Sequence, residues 1–149
     1  MSEKILVPID GSECSLRALD TAIDLARSLG DGLVICGVTD INQVAAFGPE
    51  YAQGCLEALQ EQTDDTVKRA MARVGNRLDV VEPRVATGNV VKKILEAVAQ
   101  TGSKWIVMGS HGRSGLDRLF MGSIAEGVLH RATVPVMVVP RQRTAAKAA

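Results

Sequence analysis

The chain has 149 residues, 46% of them hydrophobic but only 3% aromatic, and its 17 Lys plus Arg balance 17 Asp plus Glu. That length supports one domain whose core is built from aliphatic side chains, and a formal net charge of zero argues against a general electrostatic pull on nucleic acid or anionic lipid. No apolar run approaches the ~18 residues of a membrane span and Met-Ser-Glu-Lys opens no signal-peptide core, so no membrane association and a cytoplasmic location are expected.

Strand and helix patterns alternate along the chain. Lys4 to Ile9 is a short apolar strand. Ser12 can cap a helix to about Leu29, with Leu16, Leu19, Ile23, Ala26 and Leu29 at helical spacing. Gly30 and Gly32 close it, and Leu33 to Val38 is a second strand. Ile41 to Glu50 reads as a loop. A long helix from about Tyr51 to Val74 turns Leu56, Leu59, Val67, Ala70, Met71 and Val74 inward. Asp79 to Ala86 is the third strand. Asn89 can cap the next helix, which buries Ile94, Leu95 and Val98 and ends at Gly102. Lys104 to Met108 is the fourth strand. A last helix, Ser123 to Arg131, directs Ile124, Val128 and Leu129 inward, and Val134 to Val139 is the fifth strand. The polar, alanine-rich stretch Arg141 to Ala149 is expected to be a disordered tail, leaving 1–140 as a single domain.

Such alternation folds as an α/β protein, one parallel sheet with helices on both faces. Ligands in these sheets bind beyond the carboxyl ends of the strands, where the winding reverses. Asp10, Val38 to Asp40 and Gly109 all lie at such ends. Pro83 and Pro135 fall within the third and fifth strands, which are therefore expected at the sheet edges. The fifth, Val134-Pro135-Val136-Met137-Val138-Val139, is apolar on both faces. A free edge of that kind invites pairing with its counterpart in a second copy, so a two-fold dimer is expected.

The main chemical signal is the glycine pattern after the fourth strand: Gly109-Ser110-His111-Gly112, nine residues, then Gly122-Ser123 at the start of a helix. Glycines leave backbone N–H groups accessible, and a helix N-terminus favours negative charge, so a phosphate fits there. The spacing is neither the Gly-x-Gly-x-x-Gly of dinucleotide folds nor a P-loop. Cys14, Cys36 and Cys55 form no Cys-x-x-Cys and read as small, mostly buried hydrophobes. Asp10 does not suit a phospho-acceptor, because the third strand ends in Ala86-Thr87-Gly88 and the fifth carries no Lys. It either touches a ligand or caps the first helix. His111 lacks partners at metal-ligand spacing and reads as a loop residue that touches a ligand or packs locally. His130 is expected in solvent. Arg113 and Arg118 either clamp a terminal phosphate or are solvated.

With Lys-Ile-Leu-Val-Pro-Ile-Asp-Gly-Ser at its start, the Gly-x2-Gly-x9-Gly-Ser motif, and Val-Pro-Val-Met-Val-Val-Pro at its end, the chain resembles the universal stress protein family, from about Lys4 to Pro140. The resemblance implies a Rossmann-like fold of the adenine nucleotide alpha hydrolase type, with a five-stranded parallel sheet in the order 3-2-1-4-5. It also implies a homodimer through Val134 to Val139 and a regulatory partner in the stress response. The glycine motif implies the branch that binds ATP or another adenine nucleotide, with Mg²⁺ carried on the phosphates. On that resemblance Pro8, Ile9 and Asp10 would border the adenosine and Val38 would line the base pocket. Met108, Gly109, Ser110, His111 and Gly112 would wrap ribose and phosphates, with Arg113 beside them. Gly122, Ser123 and Ile124 would hold the phosphates, while Ala125 stands where relatives can carry a hydroxyl. A lost hydrogen bond to a charged oxygen is worth about 1.5–3 kcal/mol, so Ala125 is expected to weaken ATP binding or favour fewer phosphates.

The residues imply a binder, since phosphoryl transfer needs a placed nucleophile and charge clamps; the enzyme alternative is a slow ATPase or one that transfers the adenylyl group of ATP. Related ATP-pyrophosphatases carry Ser-Gly-Gly-x-Asp-Ser after the first strand, where this chain has Asp10-Gly11-Ser12-Glu13-Cys14-Ser15. A nucleotide-free dimerisation module is the other alternative, and the intact glycine motif argues against it.

Overall fold

The computed structural model describes residues 2–112 and 121–142. Arg113, Arg118 and most of the expected tail, 143–149, lie outside the described residues.

In chain order the elements are β1 (Lys4–Pro8), α1 (Glu13–Leu29), β2 (Gly32–Asp40), α2 (Ile41–Ala45), α3 (Pro49–Val74), β3 (Val81–Gly88), α4 (Val90–Thr101), β4 (Trp105–Gly109), α5 (Ser123–Arg131) and β5 (Val136–Val139). The five strands form one sheet in the order β3-β2-β1-β4-β5, and every pairing is parallel. The chain winds outward from β1 through β2 to β3, then crosses back to β4 on β1's other side. The reversal therefore lies between β1 and β4, and their carboxyl ends open a crevice there.

Helices α1 and α3 cover one face, where Ile5, Val7 and Ile35 meet Leu19, Ile23 and Val67. Helices α4 and α5 cover the other, where Leu6, Val34 and Ile106 meet Ile94, Val98 and Val128. The central strand β1 alternates its side chains between these two cores, so it is apolar on both faces. Ser12 caps α1 by accepting from the Ser15 amide, and Asn89 caps α4 by accepting from the Lys92 amide. Gly30 and Gly102 end those helices in the left-handed conformation, as expected of a C-terminal glycine. No helix among the described residues is long and apolar enough to cross a membrane.

Four sequence expectations need correction. Ile41 to Glu50 is not a continuous loop: Asp40 accepts from the Asn42 amide to start α2, and α3 begins at Pro49 behind Gly48. The β5 ladder starts at Val136, so Pro135 precedes the strand, although its carbonyl still accepts from the Ile106 amide at 2.9 Å. In α5 the buried residues are Ala125 and Val128, while Ile124 and Leu129 are exposed. The cause is close packing: a Cβ on Gly127 would stand 2.9 Å from Val91 Cγ2, so the small face of α5 turns toward α4. Leu29, expected on the buried stripe of α1, is exposed. The two edges fall to β3 and β5 as expected, although only Pro83 lies within its strand.

Arg73 of α3 grips Asp20 of α1 through Nε and Nη2 at 2.8 and 2.7 Å. The Arg73 hydrogen bond holds the Asp20 carboxyl below its ordinary pKa. A depressed carboxylate stabilises the fold above its unfolded pKa and stops doing so as pH falls through the folded value. Both side chains are more than two-fifths exposed, so screening keeps the contribution small. Asp20→Asn is expected to cost about 1 kcal/mol or less at pH 7, with the difference from wild type vanishing in acid. Urea titrations at pH 7 and pH 3 check this, and a penalty that grows in acid would contradict it.

Candidate functional site

Above the reversal between β1 and β4 the fold leaves a cleft of about 340 Å³. That is within the usual size range of small-molecule sites, roughly 300–1,000 Å³. Every site residue expected from sequence lines it, except Arg113 and Arg118, which are outside the described residues. Pro8, Ile9 and Asp10 arrive from β1, Val38 from β2, and Met108 to Gly112 from the end of β4. Gly122, Ser123, Ile124 and Ala125 arrive from the start of α5.

The β1–α1 turn is locked by its own side chains. Asp10 Oδ1 accepts from the Ser12 amide at 2.9 Å, and Ser12 in turn caps α1. Asp10 thus orders the turn rather than serving as the helix cap. Its second oxygen faces Gly112, where a Cβ would stand only 2.7 Å from Oδ2. Gly112 therefore has no room for a side chain in this arrangement.

The β4 end is tied down equally closely. The Ser110 amide donates to the Val139 carbonyl at 2.9 Å, and the Gly122 amide donates to the Ser110 carbonyl at 2.7 Å. The Gly122 N–H is thus spent inside the protein, and Gly122 holds the start of α5 against the β4 loop. A Cβ there would meet the Ser110 oxygen at 3.2 Å. Gly122 also caps α5 without any side-chain hydrogen bond. The first helical amides, those of Ser123, Ile124 and Ala125, have no intrahelical acceptor, and all three residues line the cleft. Ser110 Oγ lies 2.8 Å from His111 Nδ1 and 3.7 Å from Cys14 Sγ, so the polar groups beneath the rim are linked to one another.

The opposite wall was not anticipated from sequence. Leu59, Gln62, Thr63 and Thr66 of α3 and Gln43 of α2 face the same cleft. Thr63 donates its hydroxyl proton to the Leu59 carbonyl at 3.0 Å. In its 2.8 Å contact with Thr39, Thr63 must therefore accept. The available signal was Thr63 itself, a polar residue interrupting the apolar stripe between Leu59 and Val67. Val90 and Ile94 of α4 and Cys36 of β2 complete an apolar floor.

Burial pushes the Cys36 thiol up to about 11, with Arg84 offsetting only part of the effect. The thiol is therefore protonated at neutral pH and is no nucleophile. Half-buried Cys55 is expected to react first with a thiol reagent, and buried Cys14 and Cys36 only as fast as the protein opens. Peptide mapping of a timed alkylation checks the order, and native-state labelling of Cys36 at the Cys55 rate would contradict it. Among the described residues no group of three or more His, Cys, Asp or Glu is arranged to hold a metal ion. The cleft thus joins an apolar floor, a hydroxyl and amide wall, and a rim of helix amides without an intrahelical acceptor. It suits a molecule with a flat apolar end and an anionic end.

Comparison with known proteins identifies the family and the fold. The model of the universal stress protein family matches residues 1–140. The chain is 28% identical over 142 residues to universal stress protein MJ0531 of Methanocaldococcus jannaschii, covering 95% of this chain and 84% of that one. The solved structure of hypothetical protein MJ0577 superposes with a TM-score of 0.86 at 24% identity, over 97% of this chain and 99% of that one, and so shares the fold. A universal stress protein solved in complex with cAMP is 26% identical, with a TM-score of 0.60 and coverage of 93% and 97%.

Proposed function

The chain belongs to the universal stress protein family, and from that premise we propose that it is an adenine-nucleotide-binding regulatory protein of the stress response, cytoplasmic and homodimeric, with ATP as its ligand. The observation that carries this reading is the convergence of the glycine-motif residues on one cleft at the switch point of the sheet. A structural relative bound to cAMP supports the adenine part of it.

In this reading the apolar floor of Ile9, Val38 and Met108 takes the adenosine, and Asp10 accepts from it. The Ser110 to Gly112 segment and the amides of Ser123, Ile124 and Ala125 take the phosphates, as helix N-termini do. Mg²⁺ would be carried by the phosphates themselves. Phosphates bridging Gly112 to the start of α5 would fix that rim and so change the surface offered to a regulatory partner. The dimer forms through β5, an edge strand whose Met137 is 37% exposed.

Calorimetry with ATP, ADP, AMP and cAMP tests the reading. Saturable, mutually competitive binding at one site per chain is expected, and no heat from any of the four would overturn it. The dimer is tested separately by sedimentation, where twice the 15.8 kDa chain mass is expected. Met137→Asp should yield a monomer with unchanged nucleotide affinity, and a monomeric wild type would refute the dimer alone.

A further inference from the structure

Beyond Gly112 lies a second cavity, of about 430 Å³, whose lining includes Arg17, Arg141, Glu13 and Gly112. Gly112 is the residue it shares with the main cleft among the described residues. We propose that this cavity is a terminal-phosphate subsite, in which Arg17 and Arg141 hold the outermost phosphate of a nucleoside polyphosphate seated in the main cleft. The proposal rests on the adenine-nucleotide reading and goes further by assigning the nucleotide's phosphate count to named side chains.

Arg17 carries the argument. It sits one turn into α1, and its Nε is buried without any hydrogen-bond partner. An N–H taken out of water with no acceptor is costly, and folded proteins rarely leave one so. The acceptor missing here must be small enough to enter the cavity and rich in oxygen. Glu13 lines the same cavity one turn earlier on α1, yet among the described residues it forms no ion pair with Arg17. Arg141, just past β5, supplies a second guanidinium from the far end of the chain. Guanidinium groups match phosphoryl oxygens in charge and in planar, forked geometry. A phosphate chain running along the α5 amides reaches this cavity past Gly112, the residue common to both, once the Asp10 carboxylate beside it turns aside. The subsite would thus offset the hydroxyl absent at Ala125, and it would sort ligands by length, since AMP and cAMP stop short of it.

The test is calorimetry with ATP and AMP on the full chain, using Arg17→Ala, Arg141→Ala and Glu13→Gln. Each arginine variant is expected to lose about tenfold or more in ATP affinity, the equivalent of one charged hydrogen bond, with AMP affinity unchanged. Glu13→Gln removes a repelling charge and is expected to tighten ATP binding, a gain that misfolding cannot imitate. If Arg17→Ala does not fold, the other two variants carry the test. If wild type binds AMP and ATP and no variant alters their ratio, the subsite is refuted while the nucleotide reading stands. Inorganic phosphate that binds alongside ATP and is lost in the arginine variants, with ATP affinity intact, would show a separate anion site and overturn the assignment. Failure of wild type to bind either nucleotide refutes the parent reading and the subsite together.

Discussion

Gly112→Val is expected to lower ATP affinity by at least about a hundredfold while leaving the fold and the dimer in place. A Cβ at this position points at the Asp10 carboxylate, 2.7 Å from Oδ2. A valine must push that side chain away and extend its methyl groups into the phosphate path. Losing two charge-assisted hydrogen bonds, each worth about 1.5–3 kcal/mol, accounts for an effect of that size. Stability should fall only modestly: the displaced Asp10 carboxylate also accepts the Ser12 amide, but the crowded atoms belong to a side chain and not to backbone. Gly122→Val is expected to abolish binding too, but with some loss of stability, since its Cβ would press on the Ser110 carbonyl that accepts the Gly122 amide. Calorimetry beside thermal melting separates the two cases. Unchanged affinity in both variants would show that the nucleotide lies elsewhere.

Gly109→Val should produce the largest loss of stability from a single substitution at the site. Here a Cβ would stand 2.9 Å from the Cys14 carbonyl carbon, 2.9 Å from its Sγ and 3.0 Å from its oxygen. Two of these atoms belong to the backbone of the first turn of α1, which no rotamer change can move aside. Overpacking of this kind costs typically 1–3 kcal/mol and sometimes more, and a value near the upper end, about 3 kcal/mol, is expected. Cys14→Ala removes only the sulfur clash, so the double variant should recover part of the loss and not all of it. Urea unfolding measures both. A Gly109→Val protein as stable as wild type would mean that α1 does not approach β4 as closely as described.

The sequence was most legible where local chemistry and tertiary packing agree. Ser12 and Asn89 cap helices in the structure as their positions suggested, and Gly30 and Gly102 close them. Pro83 placed β3 at an edge because proline cannot donate to an inner ladder, and β5 takes the other edge although Pro135 precedes it. Legibility failed where packing overrode the local pattern. Helix α2 spans only Ile41–Ala45, too short to declare itself by periodicity, and it persists through the Asp40 cap and its contact with α3. Ile124 and Leu129 look like core residues in sequence, yet Gly127 lets α5 approach Val91 so closely that Ala125 and Val128 take the inner face. The α3 wall was missed because Thr63 sits on a buried stripe for a reason that periodicity does not encode: its hydroxyl satisfies Thr39 across the cleft. Arg17 carries no distinguishing signal in the sequence, and only the folded chain brings it into one cavity with Arg141.

An amide-resolved NMR titration with ATP tests the central claim most directly, because the claim concerns backbone N–H groups. The largest saturable shifts should fall on Gly112 and on Ser123, Ile124 and Ala125, with smaller ones at Asp10, Val38 and Ser110, whose amide is already bonded to Val139. ATP that binds while these amides stay unmoved, or ATP that moves no amide at all, would contradict the proposal that the glycine rim cradles the phosphates.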